Sequence, residues 1–228
     1  MLLLAAGRGR RFGGPRPKVW LDCAGRSVLR RSIERLAAVT GDAEIVLAVH
    51  PDDRADLLGP DLDNLRAAGL TKIVDGGATR QESMRCALAA TDPERPLVLV
   101  HDAARPFAPI ESTRQAIARA AEAGAACLAI PAPDTLKQVD DQQRITSTVD
   151  RSGIWLAQTP QVMRRDLLQR ALEAAEREGF SATDDVSLLE RIDVPVEVVV
   201  GSSTNLKITT SEDLQLAIRI AEMEDQGS

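Results

Sequence analysis

The segment Ala5-Ala6-Gly7-Arg8-Gly9-Arg10-Arg11-Phe12-Gly13 combines three glycines with three arginines directly after a short apolar run. Gly7 and Gly9 let the backbone approach a ligand closely and take positive φ. Successive N–H groups in such a loop form an anion nest, and the arginines add fixed charge for phosphates. Lys18 follows Arg11 by seven positions, in Pro15-Arg16-Pro17-Lys18, where the prolines hold the chain extended. No Gly-Lys-Ser/Thr follows, which excludes a Walker A loop. Phe12 stands where a dinucleotide fingerprint needs its third glycine. Glycines with a dense basic cluster after a first strand suit a triphosphate; the competing reading is a tight turn with solvated arginines.

Three further groups carry chemistry. His101-Asp102-Ala103-Ala104-Arg105-Pro106 follows the apolar run Leu97–Val100. A strand end of this kind is where open α/β sheets bind ligands. Asp102 can accept a substrate hydroxyl or approach a phosphate-bound Mg²⁺; it can equally cap a helix or pair with Arg105. His101 reads as a packed neighbour rather than a catalyst. Gly76-Gly77-Ala78-Thr79-Arg80-Gln81-Glu82-Ser83 opens a loop before a helix, and Ser83 in its first turn can meet a base or ribose, or serve as a cap. Asp150-Arg151, Thr159-Pro160-Gln161, Thr183-Asp184-Asp185 and Asn205-Leu206-Lys207 place polar groups at element boundaries. Arg151 and Lys207 can clamp an anionic second substrate there, or be surface charge.

The elements that must position these groups alternate between short aliphatic runs and longer helical patterns, the signature of a parallel sheet with crossover helices. Strands are expected at Leu2–Ala5, Glu44–Val49, Lys72–Val74, Leu97–Val100, Ala126–Ile130 and Glu197–Val200. Helices are expected at Ser27–Ala38, Asp52–Leu58, Arg80–Ala90, Ile110–Ala123, Arg164–Glu178, Asp184–Arg191 and Ser211–Met223. Ser211-Glu212-Asp213 and Thr183-Asp184-Asp185 supply helix-start groups. Residues 131–161 break the alternation, and the segments 135–139 and 144–149 around Asp140-Asp141-Gln142-Gln143 predict a β-hairpin arm. Such an arm packs on a second subunit or lies on the surface as an ordinary hairpin.

The chain has 228 residues, 44% hydrophobic and 27% charged, a globular composition. With 2% aromatics, no Tyr and a net charge of −6, it lacks the basic field and the stacking surface of a nucleic-acid binder. Cys23, Cys86 and Cys127 are far apart and the chain has two His, which argues against a zinc cluster and suits a reducing, cytoplasmic setting. The opening MLLLAAGRGRRF has too short an apolar run for a signal peptide or membrane span. The ending AEMEDQGS reads as a free tail.

Taken together, AAGRGRRFGG, PRPKVWL, GGATRQES, VLVHDAARP, PAPDTLK, TVDRSGIWLAQTPQ, SATDDVSLLE and NLKITTSEDL resemble the 2-C-methyl-D-erythritol 4-phosphate cytidylyltransferases of the non-mevalonate isoprenoid pathway. The strings run in order from residue 5 to residue 214. The resemblance implies a Rossmann-like, mostly parallel sheet flanked by helices, as one nucleotidyltransferase domain over 1–228 with a protruding arm at 132–157 that makes a homodimer. It implies transfer of CMP from CTP to methylerythritol phosphate with loss of pyrophosphate. Mg²⁺ would be held mainly by the CTP phosphates, with Asp102 nearby. Neither nucleic acid nor a membrane is an implied partner. Residue by residue, Ala5, Ala6, Gly7, Arg8, Gly9 and Arg11 would wrap the CTP phosphates, and Arg11 and Lys18 would stabilise charge on the α-phosphate and pyrophosphate. Gly76, Gly77 and Ser83 would recognise cytosine and ribose. Asp102, Arg105, Thr135, Arg151, Thr159, Thr183 and Lys207 would hold the sugar phosphate, with Thr135 and Arg151 serving the partner's site. Leu4 replaces the family's usual proline and Ala78 a frequent acidic residue. The sister family acting on ribitol 5-phosphate shares the fold, but it usually has glycine where Ala6 stands.

Overall fold

Leu2–Ala5 form β1, buried along its whole length, as a central strand covered on both faces requires. In the computed structural model, which describes residues 1–7, 12, 17–58 and 60–227, β1 pairs in parallel with β2 (Val46–Val49) and β4 (Leu97–Asp102), and β2 with β3 (Lys72–Asp75). Beyond β4, strand β8 (Trp155–Arg164) runs antiparallel between β4 and β5 (Ala125–Pro131), and β9 (Glu197–Val200) lies parallel to β5 at the edge. The sheet order is β3-β2-β1-β4-β8-β5-β9. β6 (Leu136–Val139) and β7 (Ile145–Val149) form a separate antiparallel hairpin whose residues are almost all exposed.

Helices α1 (Val28–Ala37), α2 (Pro60–Ala67), α3 (Arg80–Ala89), α4 (Ile110–Ala123), α5 (Arg165–Glu178), α6 (Ser187–Glu190) and α7 (Ser211–Gln226) are joined by two 3₁₀ segments, Lys18–Trp20 and Pro51–Leu58. On one sheet face Leu3, Leu47 and Leu99 pack with Ile33 and Leu36 of α1 and Ala116 and Ala120 of α4. On the other, Leu2, Leu4 and Val100 pack with Met84 and Leu88 of α3 and Leu168 and Leu172 of α5. This is the expected α/β architecture. A smaller cluster of Cys23, Val28, Phe107, Ile208, Ala217 and Ala221 docks α7.

Several expected elements differ. β8 was not expected as a strand, because Gln158-Thr159-Pro160-Gln161 breaks any apolar pattern; those polar side chains are buried and hydrogen-bonded instead. Its first residues Trp155, Leu156 and Ala157 pair with β5, so the hairpin arm proper is shorter than 132–157. Pro51–Leu58 is a 3₁₀ segment, not an α-helix, and α2 was not expected. The helix expected from Asp184 starts at Ser187, with the Asp184 carboxylate accepting from Ser187 N at 3.1 Å. At α7 the cap is Thr210 rather than Ser211, in a reciprocal box with Asp213. The ending is no free tail: α7 runs to Gln226, and Asp225 accepts from Arg31 Nη2 at 2.7 Å. Among the described residues no helix is long and apolar enough to cross a membrane.

Candidate active site

β1 leads outward to β2 on one side and pairs with β4 on the other, so the sheet has its topological switch point beside β1, and a ligand crevice is expected outside the carboxyl ends there. A cleft of about 380 Å³ occupies this place, lined by Ala5, Ala6 and Gly7 after β1, Lys18, the stretch Gly77–Arg80 with Ser83, Asp102 at the end of β4, and Lys207. Five chain segments thus contribute to one cleft.

Asp102 is the electrostatic centre. Its carboxylate meets Arg80 Nη1 at Oδ1, while Oδ2 lies 2.8 Å from Lys207 Nζ and 3.5 Å from Arg105 Nε. Burial pushes this carboxyl up, but the Arg80 and Lys207 charges outweigh burial and hold it well below the usual carboxylate range. Arg80 is itself a double clamp: Nε and Nη2 reach Asp185 at 3.0 and 2.6 Å. Asp185 is almost fully buried, and its loop is held by Gln161, whose Oε1 accepts from Asp185 N and Val186 N at 3.0 Å and whose Nε2 donates to Asp184 at 3.0 Å. Three cations therefore converge around one carboxylate, an arrangement that favours an added anion beside Lys207.

The loop before α3 is shaped by close packing. Thr79 caps α3: its Oγ1 accepts from Glu82 N and the Glu82 carboxylate accepts from Thr79 N, both at 3.1 Å. This fixes Arg80 at the first helical position, pointed at the β4 end. Ser83 Oγ accepts from Gly77 N at 3.1 Å and donates to Thr79 O at 2.9 Å, so its hydroxyl shapes the glycine turn at the cleft wall. A Cβ on Gly76 would stand 2.5 Å from Ala6 Cβ and 3.2 Å from Val49 O. Gly76→Ala should therefore push the two loops apart and destabilise the fold by about 1–3 kcal/mol, the usual cost of overpacking; an unchanged melting temperature would contradict this.

Other sequence-predicted residues fall in three groups. Arg8, Gly9 and Arg11 lie outside the described residues. Thr159 stands behind Asp102, not in the cleft lining: its hydroxyl accepts from Asp102 N and lies against His101 Nδ1, each at 3.0 Å. Thr135, Arg151 and Thr183 are exposed and do not line this chain's cleft; Arg151 donates from Nη1 to Pro133 O at the arm base. Sequence reasoning singled out the segments that hold Arg80, Asp185, Gln161 and Asn205 but gave these four residues no role of their own. For Arg80 the available signal was its place directly after a capping-box threonine; for the others spacing marked an element boundary and no partner.

The sequence profile of the 2-C-methyl-D-erythritol 4-phosphate cytidylyltransferase family matches residues 1–223. The chain is 39% identical to the protein of that name from Solibacter usitatus, over 95% of this chain and 93% of that one. Its fold is similar to a crystal structure of 4-diphosphocytidyl-2C-methyl-D-erythritol synthase from Anaerococcus prevotii, at TM-score 0.81 and 32% identity, covering 97% and 96% of the two chains. A 2-C-methyl-D-erythritol 4-phosphate cytidylyltransferase from Thermus thermophilus gives TM-score 0.79 and 35% identity, covering 97% and 98%.

Proposed function

We propose, from the premise that this chain belongs to the 2-C-methyl-D-erythritol 4-phosphate cytidylyltransferase family, that it transfers CMP from CTP to 2-C-methyl-D-erythritol 4-phosphate. The products are 4-diphosphocytidyl-2-C-methyl-D-erythritol and pyrophosphate. The observation that carries this reading is the convergence of Lys18, Arg80 and Lys207 with Asp102 in the switch-point cleft. A terminal phosphate oxygen of the acceptor attacks the α-phosphorus of CTP in line, and the bond to the pyrophosphate oxygen breaks. The phosphate monoester is already an anion, so no strong base is required; the task is to hold two anions together and stabilise the charge that builds up. Lys18 and Arg11 serve the α-phosphate and pyrophosphate. Lys207 has three ammonium hydrogens, so it can keep Asp102 and still donate to the acceptor phosphate. Arg105, beside Asp102, completes that end of the site; Thr183, exposed outside the cleft lining, would join it only from the rim.

A divalent cation such as Mg²⁺ would enter on the CTP phosphates and neutralise part of their charge. Asp102 does not fit as its ligand, because both carboxylate oxygens already face cations, and no step is assigned to a protein-held metal. We read the chain as one nucleotidyltransferase domain of the cytoplasm, whose arm joins a homodimer. The edge strand β9 and the arm expose apolar side chains in support of this, among them Ile145 at 65% and Val200 at 61%. Arg151 and Thr135 would then act in the partner's site. Lys18→Ala and Arg151→Ala chains should each be nearly inactive alone. Subunit exchange between them should restore about a quarter of wild-type activity, because half of randomly formed dimers are mixed and each mixed dimer holds one intact site. No recovery would place Arg151 in its own chain's site. The reaction itself is tested by pyrophosphate release with CTP, Mg²⁺ and either methylerythritol 4-phosphate or ribitol 5-phosphate. Preference for the first is expected; preference for ribitol phosphate would overturn the acceptor, and release with neither would overturn the activity.

A further inference from the structure

Behind the cleft four buried or half-buried residues close a ring of hydrogen bonds. His101 Nε2 lies 2.9 Å from Arg105 O. Arg105 Nη1 donates to Asn205 O at 2.7 Å. Asn205 Nδ2 donates to Thr159 O at 2.9 Å, and Thr159 Oγ1 lies 3.0 Å from His101 Nδ1. His101 and Asn205 are fully buried.

Only one protonation pattern satisfies the ring. Arg105 O can only accept, so Nε2 must carry the imidazole hydrogen. In the neutral ring Nδ1 is then bare and accepts the Thr159 hydrogen, which has no other acceptor within reach among the described residues, while Oγ1 accepts from Asp102 N. The opposite tautomer would set the Nε2 lone pair against a carbonyl oxygen. An imidazolium would leave the Thr159 hydrogen without its acceptor. The charged groups around the ring, Asp102, Arg105 and Arg80, do not reverse this: burial, against the pull of the Arg105 carbonyl and Asp102, brings the imidazole down to about 4.

The ring joins three groups at the acceptor end of the site in the proposed function, on which this inference rests. Asp102 follows His101 directly and hangs on Thr159. Arg105 is a ring member. Lys207 lies two residues past Asn205, whose Nδ2 also donates to Gln158 Oε1 at 3.1 Å, and Ile208 N donates to Ala104 O at 2.9 Å. We propose that His101, fixed as the Nε2–H tautomer between Thr159 and Arg105, is a positioning residue that sets the places of Asp102, Arg105 and Lys207 around the acceptor phosphate.

Two substitutions divide the imidazole's work. His101→Asn keeps an acceptor near Nδ1 and loses the reach to Arg105 O; His101→Gln keeps a donor near Nε2 and loses the acceptor for Thr159. His101→Asn should lower kcat/KM for the sugar phosphate by on the order of 10²-fold, the cost of misplacing a site by about 1 Å. His101→Gln should recover most of that loss, and the KM for CTP should change less than about twofold in either variant, because uniform binding at the CTP end is untouched. Equal losses toward both substrates, or lowered melting temperature with unchanged kcat/KM, would overturn the proposal. In the wild-type protein, ¹⁵N spectra should show a bare Nδ1 and a protonated Nε2 for His101, constant between about pH 5 and 8 where an ordinary imidazole titrates; a titrating imidazole or the other tautomer would also overturn it. His50 is the other histidine, and His50→Gln assigns the signals. The spectrum needs no substrate, so it decides the ring even if the wild-type chain fails to use methylerythritol phosphate, a result that would count against the reaction and not the tautomer.

Discussion

Lys18→Ala is expected to turn over on the order of 10²–10³-fold more slowly than the wild-type chain, the usual cost of removing one oriented donor to charge that develops in the transition state. The backbone around Lys18 is anchored independently of its side chain. Trp20 and Val19 are buried in the core, Trp20 N donates to Pro17 O at 3.0 Å, and Leu21 N donates to Lys18 O at 3.2 Å. That short 3₁₀ turn places Lys18 on the cleft that Gly77 and Ala78 also line. Truncation should therefore leave folding within about 0.5 kcal/mol of wild type, as for surface changes that create no cavity. The loss should fall on kcat more than on either KM. Steady-state kinetics with CTP and the sugar phosphate, alongside a thermal melt, separate these quantities. Near-normal turnover would remove Lys18 from the chemistry.

Arg80→Ala should have the largest effect on stability. The guanidinium joins Asp102 to Asp185, and no other cation is hydrogen-bonded to the Asp185 carboxylate among the described residues. Breaking one side of a buried pair leaves an uncompensated charge, at a cost of about 3–5 kcal/mol. For a chain of this length that corresponds to a fall in melting temperature on the order of 10 °C. The pH dependence has a definite sign. The Asp102 carboxyl is held below its ordinary value in the folded chain, so its contribution to stability is complete above about pH 4 and is lost as pH falls below that. Without Arg80 the Asp102 value rises, so its share of stability is lost at higher pH; Asp185, which burial already raises, acts in the opposite sense, because its protonation on acidification relieves the charge left unpaired. Adding Asp185→Asn should restore part of the melting temperature but not turnover, because Asp102 still lacks its partner. A melting temperature within about 1 °C of wild type for Arg80→Ala would show that the pair carries no such weight.

Much of the fold was legible because its determinants are local. A run such as Leu2–Ala5, buried on both faces, needs only aliphatic residues in sequence, and the start of α1 needs only Ser27 at its N-cap, where the hydroxyl accepts from Arg30 N at 3.1 Å. β8 was illegible for the opposite reason. Its buried Gln158, Thr159 and Gln161 are polar, and they are tolerated only because Ser202, His101 and Asp184, far away in the chain, supply hydrogen bonds.

The candidate site divides in the same way. By itself the sequence determined which residue types could face phosphates, since Lys18 lies in the predicted loop after the first strand and Asp102 and Lys207 sit at predicted element ends, and it determined the family through motifs spread over most of the chain. Only the tertiary structure decided which charges are partnered. Arg80 and Asp185 are 105 positions apart, and His101 and Thr159 are 58 apart. A sequence records residue type and local spacing, whereas the electrostatic role of a buried charge depends on what the folded sheet brings within about 3 Å of it, where low dielectric makes each neighbour count.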